Sequence, residues 1–299
     1  ILDRFAHNLK IDNPNDCLDK IKLSDHQDAI LSLAVTELLD QLISREKNTE
    51  SKKWQRKLRT ESRDQRQDLL TLALLYDQPR QGQIHARWKR LLRALRIRHF
   101  WNRKTHGLTT VTAGVIGLIS SAVWYWEGST AWYWQLASLV GGLSFALLGI
   151  SWLGRTFKIK WRAKRISREI PMVSKDPGHL STQLWDLPSD EETLDLIPDK
   201  ADQDKRYEAT HRLLRILHLL GYDSILVYVD RVDEPVMINS EIERMRKLIW
   251  PMFNNKFLQQ ENFGVKMLLP YELGQQLNKE DSEFYGQMRP DKQNLINPL

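Results

Sequence analysis

The stretch ILVYVDRVDEP, residues 225–235, decides the reading of this chain. Five β-favouring apolar residues, Ile225 to Val229, run straight into an acid, Asp230, and two more acids, Asp233 and Glu234, follow within four positions. A short apolar run bounded by polar residues reads as a core strand. Ahead of it DKRYEATHRLLRILHLLG is an amphipathic helix closing on Gly221, a residue suited to stopping a helix. Behind it INSEIERMRKLIWPMFNNKFLQQ is a second helical stretch, with Ser240 and Glu243 at capping-box spacing. The apolar run FGVKMLLP, residues 263–270, then completes a strand–helix–strand unit. Such a unit predicts an α/β fold with a parallel sheet covered by helices.

In open α/β sheets ligands gather at the carboxyl ends of the strands. Asp230 is predicted at that end, where a carboxylate holds Mg²⁺, usually through water, and the metal bridges nucleotide phosphates. A further acid a few residues on can polarise the attacking water; Glu234 is preferred for that role, with Asp233 the other candidate. The bland reading of the same residues is a solvated acidic turn after a core strand.

The middle of the chain is of another kind. Residues 107–126 and 128–154 hold no charged side chain apart from what separates them, Glu127 and a few small residues. A helix of about 20 apolar residues crosses a bilayer, so two spans are predicted, at about 107–126 and 131–153, as a tight hairpin. Eight Lys or Arg lie between Arg87 and Lys104 and seven between Arg155 and Arg168. Positive flanks face the cytoplasm, which predicts a multi-pass protein of the inner (plasma) membrane with both termini cytoplasmic. Trp124, Tyr125, Trp126, Trp132, Tyr133 and Trp134 would form an aromatic belt at the outer interface. Gly114, Gly117, Gly141 and Gly142 would allow close helix packing. With no ionisable residue inside either span, the hairpin by itself offers no proton relay. The basic flanks make anionic lipid headgroups the expected partner and disfavour nucleic acid.

The rest is cytosolic in this reading. Residues 24–46 read as a helix with Ser24 and Gln27 at capping-box spacing, and Ala29, Ile30, Leu33, Ala34, Leu38 and Leu42 at helical period. His26 between Asp25 and Asp28 has the composition of a metal set, but a polar first helical turn explains it more simply. Residues 46–68 are highly charged and read as a solvated helix or loop, and TLALLYD, 71–77, as a short apolar helix. Pro171, Pro177, Pro188 and Pro198 mark a long irregular connection. His211 and His218 read as ordinary helix residues. The formal net charge is +6, and the single cysteine, Cys17, can form no intrachain disulfide. No secretory signal precedes the first residues, and both ends of the chain read as cuts. The expected division is 1–86, the N-terminal part of a cytosolic ATPase domain; 87–168, the hairpin with its flanks; 169–206, a linker; and 207–299, the C-terminal part.

The fuller pattern LVYV-D-R-V-D-E resembles the extended Walker B motif of signal-transducing P-loop ATPases, including the NACHT group. An ATPase domain interrupted by a membrane hairpin, with Walker B after it, resembles the KAP-type P-loop NTPases. Two departures stand out. Arg231 occupies a position that is usually small, or a second adjacent acid in the KAP form. The phosphate loop GxxxxGK[ST] occurs nowhere in the 299 residues; Lys104-Thr105 lacks its glycines. In this fold the loop follows the first strand, so it is expected upstream of Ile1. The resemblance implies ATP and Mg²⁺ as cofactors, Mg²⁺-dependent hydrolysis driving a conformational or assembly switch, a homo-oligomer or protein partner, and, by the habits of the bacterial members, a role in defence. The alternative is a non-enzymatic membrane adaptor or pore-forming effector with a degenerate ATPase-like domain.

Overall fold

The computed structural model describes residues 14–43, 49–60, 63–78, 84–97, a few positions between 111 and 122, then 132–173, 175–187, 204–235, 238–277 and 279. The chain divides into two compact units, one of residues 1–95, 166–175 and 190–299, the other of 96–165 and 176–189.

In the first unit, helices are built around α1 (Pro14–Leu18), α2 (Leu23–Leu42), α3 (Thr49–Thr60), α4 (Arg63–Tyr76) and α5 (Ile84–Ala94). The segment TLALLYD belongs to α4, and Leu69 to Tyr76 is buried on every side, which places this helix at the centre of its neighbours rather than on an edge. The charged stretch before it folds as α3, with Trp54 and Leu58 turned into the core. Helix α2 is capped two residues earlier than expected. Its N-cap is Lys22, whose backbone N–H donates to the Asp25 carboxylate at 2.9 Å, so Asp25 and not Ser24 secures the first turn. That turn is not solvated either: Ser24, Asp25, Gln27 and Asp28 are all buried.

Burial of Asp28 has a specific compensation. Arg206, at the start of the helix Asp204–Leu220, forks onto it, Nε to Oδ1 at 3.0 Å and Nη2 to Oδ2 at 2.9 Å, and Nη2 also donates to the Glu169 carbonyl at 3.2 Å. The Tyr76 hydroxyl donates to Asp28 at 3.4 Å. Burial drives the Asp28 carboxyl up to about 6 against the pull of Arg206. A second buried set lies at the end of α4. Arg87 binds Asp77 at 3.0 Å, Asp40, and the Thr36 carbonyl at 2.8 Å. Lys175 donates to the last carbonyls of α4, Ala73 at 2.9 Å and Leu74 at 2.6 Å. Complete burial pushes its amine down to about 7, opposed by Asp77 and assisted by Arg87.

The remaining elements of this unit are β1 (Ile225–Val229), a helix at Ile242–Ile249, a short helix at Asn255–Leu258, β2 (Phe263–Met267) and a helix at Tyr271–Leu277. In chain order, α6 is Trp132–Glu169, α7 Pro177–Asp186, α8 Asp204–Leu220, α9 Ile242–Ile249, α10 Asn255–Leu258 and α11 Tyr271–Leu277. Helix α8 ends as expected at Gly221, whose φ of 103° suits glycine, with the Tyr222 N–H donating back to the Leu217 carbonyl at 3.0 Å. Helix α9 is capped at Glu241, not at Ser240.

Strands β1 and β2 pair in parallel, Ile225 opposite Phe263 through Val229 opposite Met267. The expected P-loop-type sheet is nevertheless corrected. Among the described residues the sheet stops at these two strands, and most of the chain is helical. One βαβ unit specifies only one pair of neighbours, and the other apolar segments follow helical period. Among the described residues the sheet is also covered on one side alone. Ile225, Val227 and Val229 face a core with Tyr207, Met252, Phe257 and Phe263, while Leu226 and Tyr228 stand exposed. Parallel sheets of doubly wound folds are covered on both faces.

The second unit holds α7 and α6 up to Arg165. Asp176 caps α7 by accepting the His179 N–H at 3.2 Å, and Pro177 opens the helix. Arg155 lies over the Trp185 ring, 4.8 Å from its centroid. Gly114 is pressed against Phe145, where a Cβ would come within 2.8 Å of the ring.

The two membrane spans are corrected as well. Among the described residues no helix is long and apolar enough to cross a membrane. With the spans falls the multi-pass inner-membrane placement. The first span lies, but for a few positions, outside the described residues, as do Trp124, Tyr125, Trp126, Glu127, Gly117, Lys104 and Thr105. The second is not a separate arm: α6 runs for 38 residues without a break through the basic stretch to Glu169. Absence of charge is also a weaker criterion than apolarity, because Gln135, Ser138, Ser144, Ser151 and several glycines carry no charge and dilute the segment.

Two outcomes follow from the buried ions. Arg206→Met strands Asp28 in the core and lowers the unfolding free energy by about 3–5 kcal/mol, while Asp28→Leu with Arg206→Met recovers most of the loss; a double-mutant cycle by urea denaturation reads both. Lys175 has a folded pKa of about 7, below its ordinary 10.5, so its contribution is fully present above 10.5 and is lost as pH falls through 7. Unfolding free energy therefore climbs between pH 7 and 9 by up to about 1.4 kcal/mol per unit, and Lys175→Met removes that slope.

Candidate functional site

The acids predicted to matter lie on the turn leaving β1. The Leu268 N–H donates to the Val229 carbonyl at 2.9 Å, so the parallel pairing reaches the last residue before Asp230. From there the chain is pinned by two buried side chains, Val232 and Ile238, which join Met245, Leu248, Ile249 and Leu273 in one core cluster. These anchors leave Asp230, Arg231 and Glu234 directed outward; the carboxylates of Asp230 and Glu234 are 57% and 59% exposed. Asp233 is half-buried, and its carbonyl receives the Ser240 N–H at 3.1 Å.

Arg231 is the centre of the turn. Its φ of 53° places it in the left-handed region, uncommon for a residue with a side chain. Its N–H donates to Asp230 Oδ1 at 2.8 Å, and its carbonyl accepts the Glu234 N–H at 3.3 Å. Its guanidinium lies 3.4 Å from Glu234 Oε1 and 3.9 Å from Asp230 Oδ2. Asp230 and Glu234 are thus brought together through one cation, and among the described residues no ion pair joins Asp233 to it.

This geometry fits part of what a metal–phosphate site needs. Among the described residues no group of three His, Cys, Asp or Glu converges to hold a metal on protein ligands alone. Mg²⁺ bound to phosphates needs only one or two carboxylates and keeps several waters, so one exposed carboxylate past a parallel strand is a compatible donor. Arg231 competes for the same oxygens. The trio His26, Asp25 and Asp28 is no metal set: His26 is half-buried, with desolvation of its imidazole holding it down to about 4, and Asp28 is taken by Arg206. His218 Nε2 lies 2.7 Å from the Asp223 carbonyl, a local contact at the end of α8.

Strongly shifted ionisable groups do mark functional sites in general. Here strong shifts fall on Asp28, Tyr76, Lys175 and His26, and almost no solvent reaches Asp28 or Arg206. They act in the fold. The one signal for them in the sequence was an acid, Asp28, directly before the apolar periodic run of α2.

No protein-family model matches the chain, and no curated protein and no solved structure matches it significantly.

The strained cation makes its own prediction. Arg231→Gly removes the left-handed cost and leaves the unfolding midpoint equal or higher, whereas Arg231→Val lowers stability by about 1–2 kcal/mol. Arg231→Gly also frees both carboxylates, and Mn²⁺ titrated into it gives tighter binding by electron paramagnetic resonance than into the parent chain.

Proposed function

We propose that the turn from Asp230 to Glu234 is the metal–phosphate end of a nucleotide-binding core, and that the full-length protein is a Mg²⁺-dependent nucleotide hydrolase whose nucleotide state switches its conformation or assembly. One observation carries this reading: Asp230 directly follows a strand in a parallel pair, at the strand end where such ligands gather. Asp230 would hold Mg²⁺ through water. The metal would supply charge neutralisation at the phosphates. Glu234 orients the attacking water, with Asp233 the nearest substitute. ATP is the nucleotide implied by the resemblance to P-loop ATPases. The residues that cradle its phosphates are not a GxxxxGK[ST] loop within these 299 residues.

A second reading has its own observation. Arg231 already balances Asp230 and Glu234, and a turn closed by its own ion pairs suits a non-enzymatic adaptor built on an ATPase-like core.

Hydrolysis and binding of Mg²⁺–ATP by the full-length protein separate the two. Glu234→Gln keeps nucleotide binding and loses turnover by about 10²-fold or more, in line with general-base losses. Asp230→Ala loses Mg²⁺-dependent binding as well. A parent protein that neither binds nor hydrolyses nucleotide establishes the adaptor.

A further inference from the structure

The basic stretch beginning at Arg87 was expected to lie against lipid, and the structure changes the terms of that expectation. Its first part is α5, and the apolar side of α5 is used up in the core: Trp88, Leu91 and Leu92 are buried. The same holds for α3, where Trp54 and Leu58 are buried. A helix that lies in a membrane surface keeps its apolar face for the lipid. These two helices present only their polar sides. Lys52, Lys53, Arg56 and Lys57 of α3 are exposed, as are Lys89 and Arg93 of α5, with Arg59 and Arg90 half-buried.

The cations fall into stripes. Lys52, Arg56 and Arg59 are four and three residues apart and share one face of α3. Lys89 and Arg93 are four apart and share one face of α5. The two helices meet where the stripes end: Arg59 Nε donates to the Ala94 carbonyl at 2.6 Å, beside Arg93. None of the ion pairs among the described residues engages Lys52, Lys53, Arg56, Lys57, Lys89 or Arg93. The only acid on either helix is Glu50, in the first turn of α3.

We infer that the joined α3–α5 face is a docking surface for the phosphate backbone of a nucleic-acid duplex. The charge pattern is complementary to a continuous polyanion. The apolar residues that would insert into lipid are in the core. Trp54 and Trp88 are buried too, so the described part of the face offers no aromatic platform on which unpaired bases could stack. What remains is contact with the backbone by cations alone, which positions a duplex without reading its sequence. This surface is separate from the β1 turn, and its function does not depend on nucleotide hydrolysis.

The test uses a fluorescein-labelled DNA duplex of mixed sequence and fluorescence anisotropy across a salt series. Five contacts, from Lys52, Arg56, Lys89, Arg90 and Arg93, give a slope of log affinity on log salt of about −4 to −5. Lys52→Glu with Arg56→Glu weakens binding by about tenfold or more and flattens the slope by about 2. Lys20→Glu with Lys266→Glu makes the same charge change at exposed positions away from the face and weakens it by less than about threefold. Thermal melts of both doubles matching the parent keep the comparison one of surfaces. Equal losses in the two doubles overturn the proposal, as does a slope shallower than about −2. So does binding to phosphatidylserine vesicles with no binding to the duplex, which returns the face to lipid.

Discussion

The forked pair between Asp28 and Arg206 holds three helices to one another. Asp28 comes from α2, Arg206 from α8, and Tyr76, which reaches the same carboxylate, from the end of α4. Glu169 adds a fourth segment through its carbonyl. Neither ion touches solvent, so each has only the other and these few groups to replace its hydration. Apolar packing alone would tolerate α2 sliding or turning against α8. A carboxylate that must meet a guanidinium in the plane of its fork does not. The register of the helical part of this unit follows from that constraint, and the β1–β2 pair is laid against helices whose places are already set.

The elements that local chemistry defines were legible. Gly221 stops α8, the runs Ile225–Val229 and Phe263–Met267 are strands, and they pair in parallel. What failed were inferences that needed partners far along the chain. Asp25 and Asp28 look like any polar first turn until Arg206, 178 residues beyond Asp28, arrives to bury one of them. TLALLYD looks like a minor apolar helix, and it is the tail of the most buried helix of the unit. The same limit explains the sheet. Two strands and a crossover are written locally, but how many further strands flank them is not. The spans fail for a different reason: missing charge is not apolarity, and the basic stretch after the second is no border, because α6 passes through it without a stop signal.

The candidate site shows the boundary between the two kinds of information. That an acid follows β1 is a fact of sequence, and its place beside the end of a parallel strand is what the βαβ spacing implied. That Arg231 adopts a left-handed backbone and turns its guanidinium onto Asp230 and Glu234 is not readable from residue order. Yet Arg231 is the residue at which the stretch departs from the motif it resembles, and the departure and the left-handed backbone coincide. Strain persists only where the surroundings over-determine it. Here Val229, paired in the sheet, precedes Arg231, and Val232 and Ile238, both buried, follow it and anchor the turn.

Charge is sorted in the first unit according to what each cation replaces. Arg206, Arg87 and Lys175 are inside, where each answers a carboxylate or helix-end carbonyls that burial would otherwise leave uncompensated. Arg212, half-buried, and Arg215, exposed, pair with Asp68 and Glu208. Among the described residues Lys52, Arg56, Lys89 and Arg93 of α3 and α5 meet no acid. Surface ion pairs contribute little to stability, so folding gains almost nothing from leaving Lys52, Arg56, Lys89 and Arg93 without acids, and it loses little. Folding therefore gives no account of why the two helices whose ends are joined by Arg59 carry one acid, Glu50, against so many exposed cations. A partner of the opposite sign does give one, because the free energy that such a face lacks within the chain is recovered when condensed counterions leave a polyanion.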